Sequence, residues 1–142
     1  MASPDHGVAR FVRDVLGCGC PDDVLRDIRI DRHHWIAGID APLARIDVGG
    51  RLLVWVIAVG DRPTHLAALV AGGVLAGLHE RDRLAFNRLR LVLATPAPSE
   101  IDALARQSFN ACRVPDDRIH LHVVDLRSVP PSARPIEANR QS

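Results

Sequence analysis

Apolar and polar positions change period several times along the chain, and each change marks an element. Val8, Phe11, Val12, Val15 and Leu16 recur at the spacing of one helical face, behind Ser3-Pro4-Asp5 and ahead of Gly17, which predicts an amphipathic helix over about 5–16. Cys20-Pro21-Asp22-Asp23 then offers proline at a first helical position and acids in a first turn, so a second helix is expected there with Cys20 as its N-cap. Ile28 and Ile30 alternate with charged neighbours over 26–31, a strand pattern. Ala44–Val48 and Arg51–Val59 flank Gly49-Gly50, two residues that can both take positive φ, and predict a β-hairpin over 43–59. Leu52–Val59 is apolar on both faces, as a central strand covered by helices must be.

Beyond the hairpin the pattern predicts a helix from about Pro63 to His79, a strand over Arg88–Ala94, a helix over Glu100–Cys112 begun by Ser99, and a strand over Arg118–Leu126. Strands alternating with helices of this length imply parallel crossovers. The expected fold class is therefore α/β with a mixed (α+β) sheet: an N-terminal helix, a three-strand hairpin region, then two β-α-β crossovers. Residues 1–127 are expected to form a single globular domain. Residues 128–142 carry Pro130, Pro131 and Pro135 among polar residues without an apolar period, and are expected to be a disordered or loosely attached tail. Glu80-Arg81-Asp82-Arg83 is expected to be a solvated helix end.

Composition narrows the chemistry. The 142 residues are 47% hydrophobic and 25% charged, enough for a core without a metal or disulfide to hold it. A formal charge of +1 supplies no field of one sign, so neither nucleic acid nor an anionic membrane is expected as a partner. Every basic side chain other than histidine is arginine. Without lysine there is no Schiff base, no Walker lysine and no lysine general base. The order helix, three strands, helix, strand resembles the core shared by many nucleases, but the lysine of their metal-binding constellation has no counterpart here. The N-terminus lacks the basic and apolar regions of a secretory signal, and the longest apolar run, Leu52–Val59, falls far short of the roughly 20 residues needed to span a bilayer. A cytoplasmic protein is expected.

In a reducing compartment, three cysteines with two close together point to thiols, metal ligands or a transient disulfide. Cys18-Gly19-Cys20 is the leading candidate, with Cys20 the lower-pKa thiol and Cys18 its partner. The spacing permits a small-ring disulfide, or two thiolates on zinc or another soft transition-metal ion. A helix N-terminus favours the thiolate of Cys20, and the charges of Asp22 and Asp23 oppose it. His120 and His122, two apart on one strand face, are candidates for the same metal, although a polar edge-strand face gives the same pattern. Cys112 falls on the apolar side of its helix and reads as a core thiol.

A second candidate is the strand-to-helix junction Gly60–His65, where Asp61, Arg62, Thr64 and His65 could bind a small molecule or cofactor at the carboxyl end of the central strand. The remaining class is a non-enzymatic interaction or oligomeric module with structural cysteines. Gly72, Gly73 and Gly77 are best explained by close packing of their helix on a neighbour, which could equally be a subunit interface, so such a module would dock an unknown protein partner, or a second copy, on this helix or on a sheet edge.

Overall fold

The computed structural model describes residues 6–61, 63–114 and 116–136. Five strands form one mixed sheet in the order β1-β2-β3-β4-β5. These are β1 (Ile28–Asp31), β2 (Leu43–Val48), β3 (Leu52–Ala58), β4 (Arg88–Thr95) and β5 (Ile119–Asp125). The first three strands pair antiparallel and the last two add in parallel. α3 (Leu66–Arg83) and α4 (Pro98–Ala111) form the two crossovers, preceded by α1 (His6–Arg10) and the one-turn α2 (Asp22–Leu25). The mixed α/β class and the order of elements are those the apolar periods predict.

The central strand shows why. Leu52 to Ile57 are all buried, because side chains of alternating direction enter two separate cores. Val54 and Val56 face a core closed by Val8, Phe11, Val12 and Leu16, whereas Leu53, Trp55 and Ile57 face one closed by α3 and α4. Gly49 and Gly50 both take positive φ, at +62° and +68°, and the hairpin loop gains a third residue, Arg51, so that Val48 pairs with Leu52.

α1 runs on into a wider π turn over Phe11–Val15. Gly17, with φ +71°, ends it, and the Cys18 N–H donates back to the Val12 carbonyl at 3.1 Å. The helix stop is where glycine allows it. Cys20, however, is not a helix cap. The N-cap of α2 is Pro21, with φ −64° and ψ 158°, because α2 starts only at Asp22. In the same way α4 is capped by Ala97 with Pro98 in its first turn, and Ser99 lies inside the helix.

Two expectations, about the end of α3 and the end of the chain, are corrected. Of residues 80–83 only Asp82 and Arg83 are an exposed helix end, whereas Glu80 is 5% and Arg81 3% exposed. The helix continues to Arg83, so the buried stripe of Leu66, Val70, Gly73, Val74 and Gly77 extends by one more turn onto them. Residues 128–136 are not a loose tail either. β5 is followed by short 3-10 turns at Leu126–Ser128 and Pro131–Ala133, and Val129 and Ala133 are fully buried against the N-terminal helices. The Arg32 side chain donates to the Arg134 carbonyl at 2.8 Å, and the Ile136 N–H donates to the Arg32 carbonyl at 2.9 Å. β5 and β1 are opposite edges of the sheet, so the segment crosses its whole width and shields the first core. Residues 137–142, also assigned to a tail, lie outside the described residues.

No helix among the described residues is long and apolar enough to cross a membrane.

Candidate functional site

Leaving Gly17, the chain turns through Cys18-Gly19-Cys20, and the two sulfur atoms stand at disulfide-bonding distance, with Cα atoms 5.3 Å apart. The Cys20 N–H donates to Cys18 Sγ at 3.1 Å. Cys18 is 9% exposed and belongs to the first core, whereas Cys20 is half-buried at its margin. Of the two sulfur-bearing residues, Cys20 is the more accessible from solvent.

The turn forms one wall of a cavity of about 300 Å³, whose opposite walls are Arg51, Asn87, Arg88 and Arg90. The sheet brings these together. Leu52 and Arg88 are register partners at the starts of β3 and β4, so Arg51 of the hairpin loop and Arg88 arrive side by side, with Arg90 two residues further along the same face. Asn87 and Arg88 both donate backbone N–H groups to the Arg51 carbonyl, at 2.8 and 3.2 Å, which fixes the hairpin loop on β4. The wall carrying the cysteines is fixed to the same loop. A Cβ on Gly49 would lie 2.6 Å from the Val24 side chain, and the Gly49 N–H donates to the Asp27 carbonyl at 2.7 Å.

None of Arg51, Arg88 and Arg90 has a carboxylate within 4.0 Å among the described residues. Arg90 instead donates to Nε2 of His122 at 2.9 Å. His122 accepts that bond only as the neutral imidazole with its proton on Nδ1. Burial, then the charge of Arg90, lowers its pKa to about 4, so the neutral form persists over the physiological range. Burial, then the charges of Arg90 and Arg88, lower His120 as well, and its buried Nδ1 has no hydrogen-bond partner among the described residues. Arg90 is also lowered, by burial and by Arg88.

His120 and His122 do share one face of β5, as their spacing predicts, and it is the face of the first core. They do not combine with Cys18 and Cys20 into a metal site: among the described residues no group of three or more His, Cys, Asp or Glu side chains is placed to hold an ion. The physical reasons are local. Both sulfurs are committed to each other, the Nε2 lone pair of His122 is taken by a guanidinium, and Arg90 is the register partner of His120. The positive charge beside both imidazoles opposes a cation and suits an anion.

The second candidate lies at the other end of the sheet. A cavity of about 350 Å³ is bounded by Ala58 and Val59 at the end of β3, and Thr64 and His65 line it together with Asp40 and Leu69. Asp61 is exposed and is not among the lining residues, and Arg62 lies outside the described residues. The acid at that site is Asp40, from the loop after β1. Thr95 Oγ1 donates to the Gly60 carbonyl at 3.0 Å and accepts from the Ala97 N–H at 3.2 Å, which ties the exits of β3 and β4 together.

Gly73 and Gly77 of α3 are turned inward, as close packing of that helix on a neighbour requires. A Cβ on Gly77 would stand 2.7 Å from Leu89, and one on Gly73 3.3 Å from Leu91. Their absence of side chains lets α3 lie close on β4. Gly72 has nothing within 4 Å. Cys112 packs against the second core and donates to the Ser108 carbonyl at 3.4 Å, as expected of a core thiol.

Sequence reasoning missed the polar group at the end of α3. Glu80 accepts from Trp55 Nε1 at 3.1 Å, meets His34 Nε2 at 3.0 Å, and lies 3.5 Å from Arg45. Two signals were available. A tryptophan in a strand covered on both faces needs an acceptor for its N–H, and the apolar period of α3 lands on Glu80 when continued past Gly77.

No family model, curated protein or solved structure matches the chain.

Proposed function

We propose that the protein is a thiol–disulfide redox module in which Cys18 and Cys20 interconvert between dithiol and disulfide. The observation that carries this reading is the bonded sulfur pair in the wall of an open cavity, with the more accessible cysteine, Cys20, at its rim. Two physical points support it over a structural cysteine turn.

The first is magnitude. A disulfide stabilises chiefly by restricting the unfolded chain, and a ring closed over a sequence separation of two removes little freedom. The expected stabilisation is about 1–2 kcal/mol, against about 3 for a 15-residue loop. The second is charge. Thiol–disulfide exchange runs through thiolates, and positive groups at the site favour the thiolate over the thiol. Arg51, Arg88 and Arg90 line the same cavity and lack acidic partners among the described residues, a setting that stabilises the reduced pair as nucleophile and leaving group.

The test is quantitative alkylation of the folded protein after equilibration in buffers of graded thiol–disulfide ratio, read by intact mass. A reversible two-thiol step that disappears in Cys18→Ser/Cys20→Ser supports the reading. A pair that stays oxidised until the protein is denatured makes the turn structural.

A further inference from the structure

The cavity beside the disulfide says more about the electron partner than the sulfurs do. Its volume of about 300 Å³ is at the small end for ligand sites, suited to a low-molecular-weight compound. It brings together three guanidiniums without a carboxylate partner among the described residues. Other arginines illustrate the difference: Arg81 bonds Asp116 and Asp82, Arg106 bonds Asp102, and Arg127 bonds Asp125. Arg90 is held in place by an imidazole, which orients it and leaves its charge uncompensated. Asn87 adds a neutral amide to the same wall. Such a set binds carboxylates, through charge-assisted and often bidentate bonds.

We infer that the cavity binds the carboxylate of a small acidic thiol, which places that thiol's sulfur against Cys20 and makes this class of compound the reductant of the Cys18–Cys20 disulfide. The inference rests on the redox reading above. The bound thiolate attacks Cys20 Sγ, a new S–S bond forms between donor and Cys20, and the Cys18–Cys20 bond breaks with the electron pair on Cys18. The departing Cys18 thiolate is already within 3.1 Å of the Cys20 N–H. A second donor thiolate attacks the donor sulfur of the mixed disulfide and releases Cys20 as thiolate. Two donor thiolates are oxidised to one donor disulfide, the protein gains two electrons, and protons from water convert its thiolates to thiols as the pH dictates.

The experiment compares 3-mercaptopropionate, 2-mercaptoethanol and cysteamine, three short thiols that are anionic, neutral and cationic at their far ends. Rates of disulfide reduction in the full chain are measured at low ionic strength and expressed per thiolate, with dithiothreitol as a control. The expected order is anionic, neutral, cationic, with about tenfold or more between the first two, the range electrostatic steering supplies. About 1 M salt compresses the ratio, since the screening length falls to about 3 Å. Arg51→Gln/Arg88→Gln, at two exposed positions, abolishes the preference: the ratio of anionic to neutral thiol rates falls to about one, and the dithiothreitol rate of the same variant measures any general loss of leaving-group stabilisation.

Equal rates for the three thiols, with dithiothreitol still giving the two-thiol step, overturn the carboxylate inference and leave the redox reading standing. Reduction by a protein dithiol with no selectivity among small thiols does the same and identifies a macromolecular donor. Failure of dithiothreitol to give a two-thiol step overturns both.

Discussion

The indole N–H of Trp55, in the middle of the central strand, donates to the Glu80 carboxylate at 3.1 Å in the interior between sheet and helix. The other carboxylate oxygen faces His34 Nε2 at 3.0 Å, so one buried acid satisfies a strand, a helix and the loop after β1 together. Removing it leaves the Trp55 donor buried without a partner. Glu80→Ala is expected to lower the unfolding free energy by about 3 kcal/mol, the range for breaking a buried charged network. Glu80→Gln, which keeps an acceptor for the indole, is expected to lose about 1 kcal/mol. Urea unfolding followed by far-ultraviolet circular dichroism measures both, and equal small losses would show the carboxylate to be dispensable.

The cysteine pair is expected to matter little for stability. Cys18→Ser/Cys20→Ser should lower the unfolding free energy by about 1–2 kcal/mol, with allowance for the buried Cys18. A calorimetric loss several times larger would mark the turn as a structural element and count against a redox role.

Protonation supplies a third prediction. The His122 imidazole, lowered to about 4 by burial and by Arg90, is neutral in the folded protein where an ordinary histidine near 6.5 has begun to charge. Between those values the unfolded chain binds more protons than the native one, so stability rises with pH across pH 4 to 6.5 and falls on acidification through the same window. With solvent screening of this partly exposed ring, the contribution is on the order of 1–2 kcal/mol. Denaturant midpoints at pH 4.5 and 7.5 should therefore differ less in His122→Gln than in the parent. An unchanged difference would locate the acid sensitivity elsewhere.

Neighbouring glycines of α3 are expected to respond in opposite directions. Gly77→Ala places a methyl 2.7 Å from a Leu89 methyl and should cost about 1–3 kcal/mol, because helix and strand are already in contact. Gly72→Ala meets nothing within 4 Å and should stabilise by about 0.5–1 kcal/mol through helix propensity and a less disordered unfolded chain. Thermal midpoints of the two variants decide the matter, and a loss at Gly72 would show that it has a neighbour after all.

Much of the architecture was legible because local chemistry dictates it. The switch between periods of two and 3.6 located all five strands and both long helices to within a few residues, and Gly17, Gly49 and Gly50 marked turns that require positive φ. The common face of His120 and His122 followed from spacing alone, since separation by two fixes it on a strand, whereas the spacing of Cys18 and Cys20 permitted the observed sulfur pair without requiring it. What residues far apart in the chain do for one another could not be read that way. Arg88 and Arg90 scan as ordinary polar positions in a strand, and only the register of β3 on β4 and of β5 on β4 sets them beside the sulfurs and the histidines. Glu80 scans as a solvated charge until Trp55 is placed opposite it, and Val129 and Ala133 scan as tail until the segment crosses the sheet. Local periodicity reports which side of an element is buried. Which charges face each other across the interior depends on strand register and helix placement, and these are set by packing the whole chain at once.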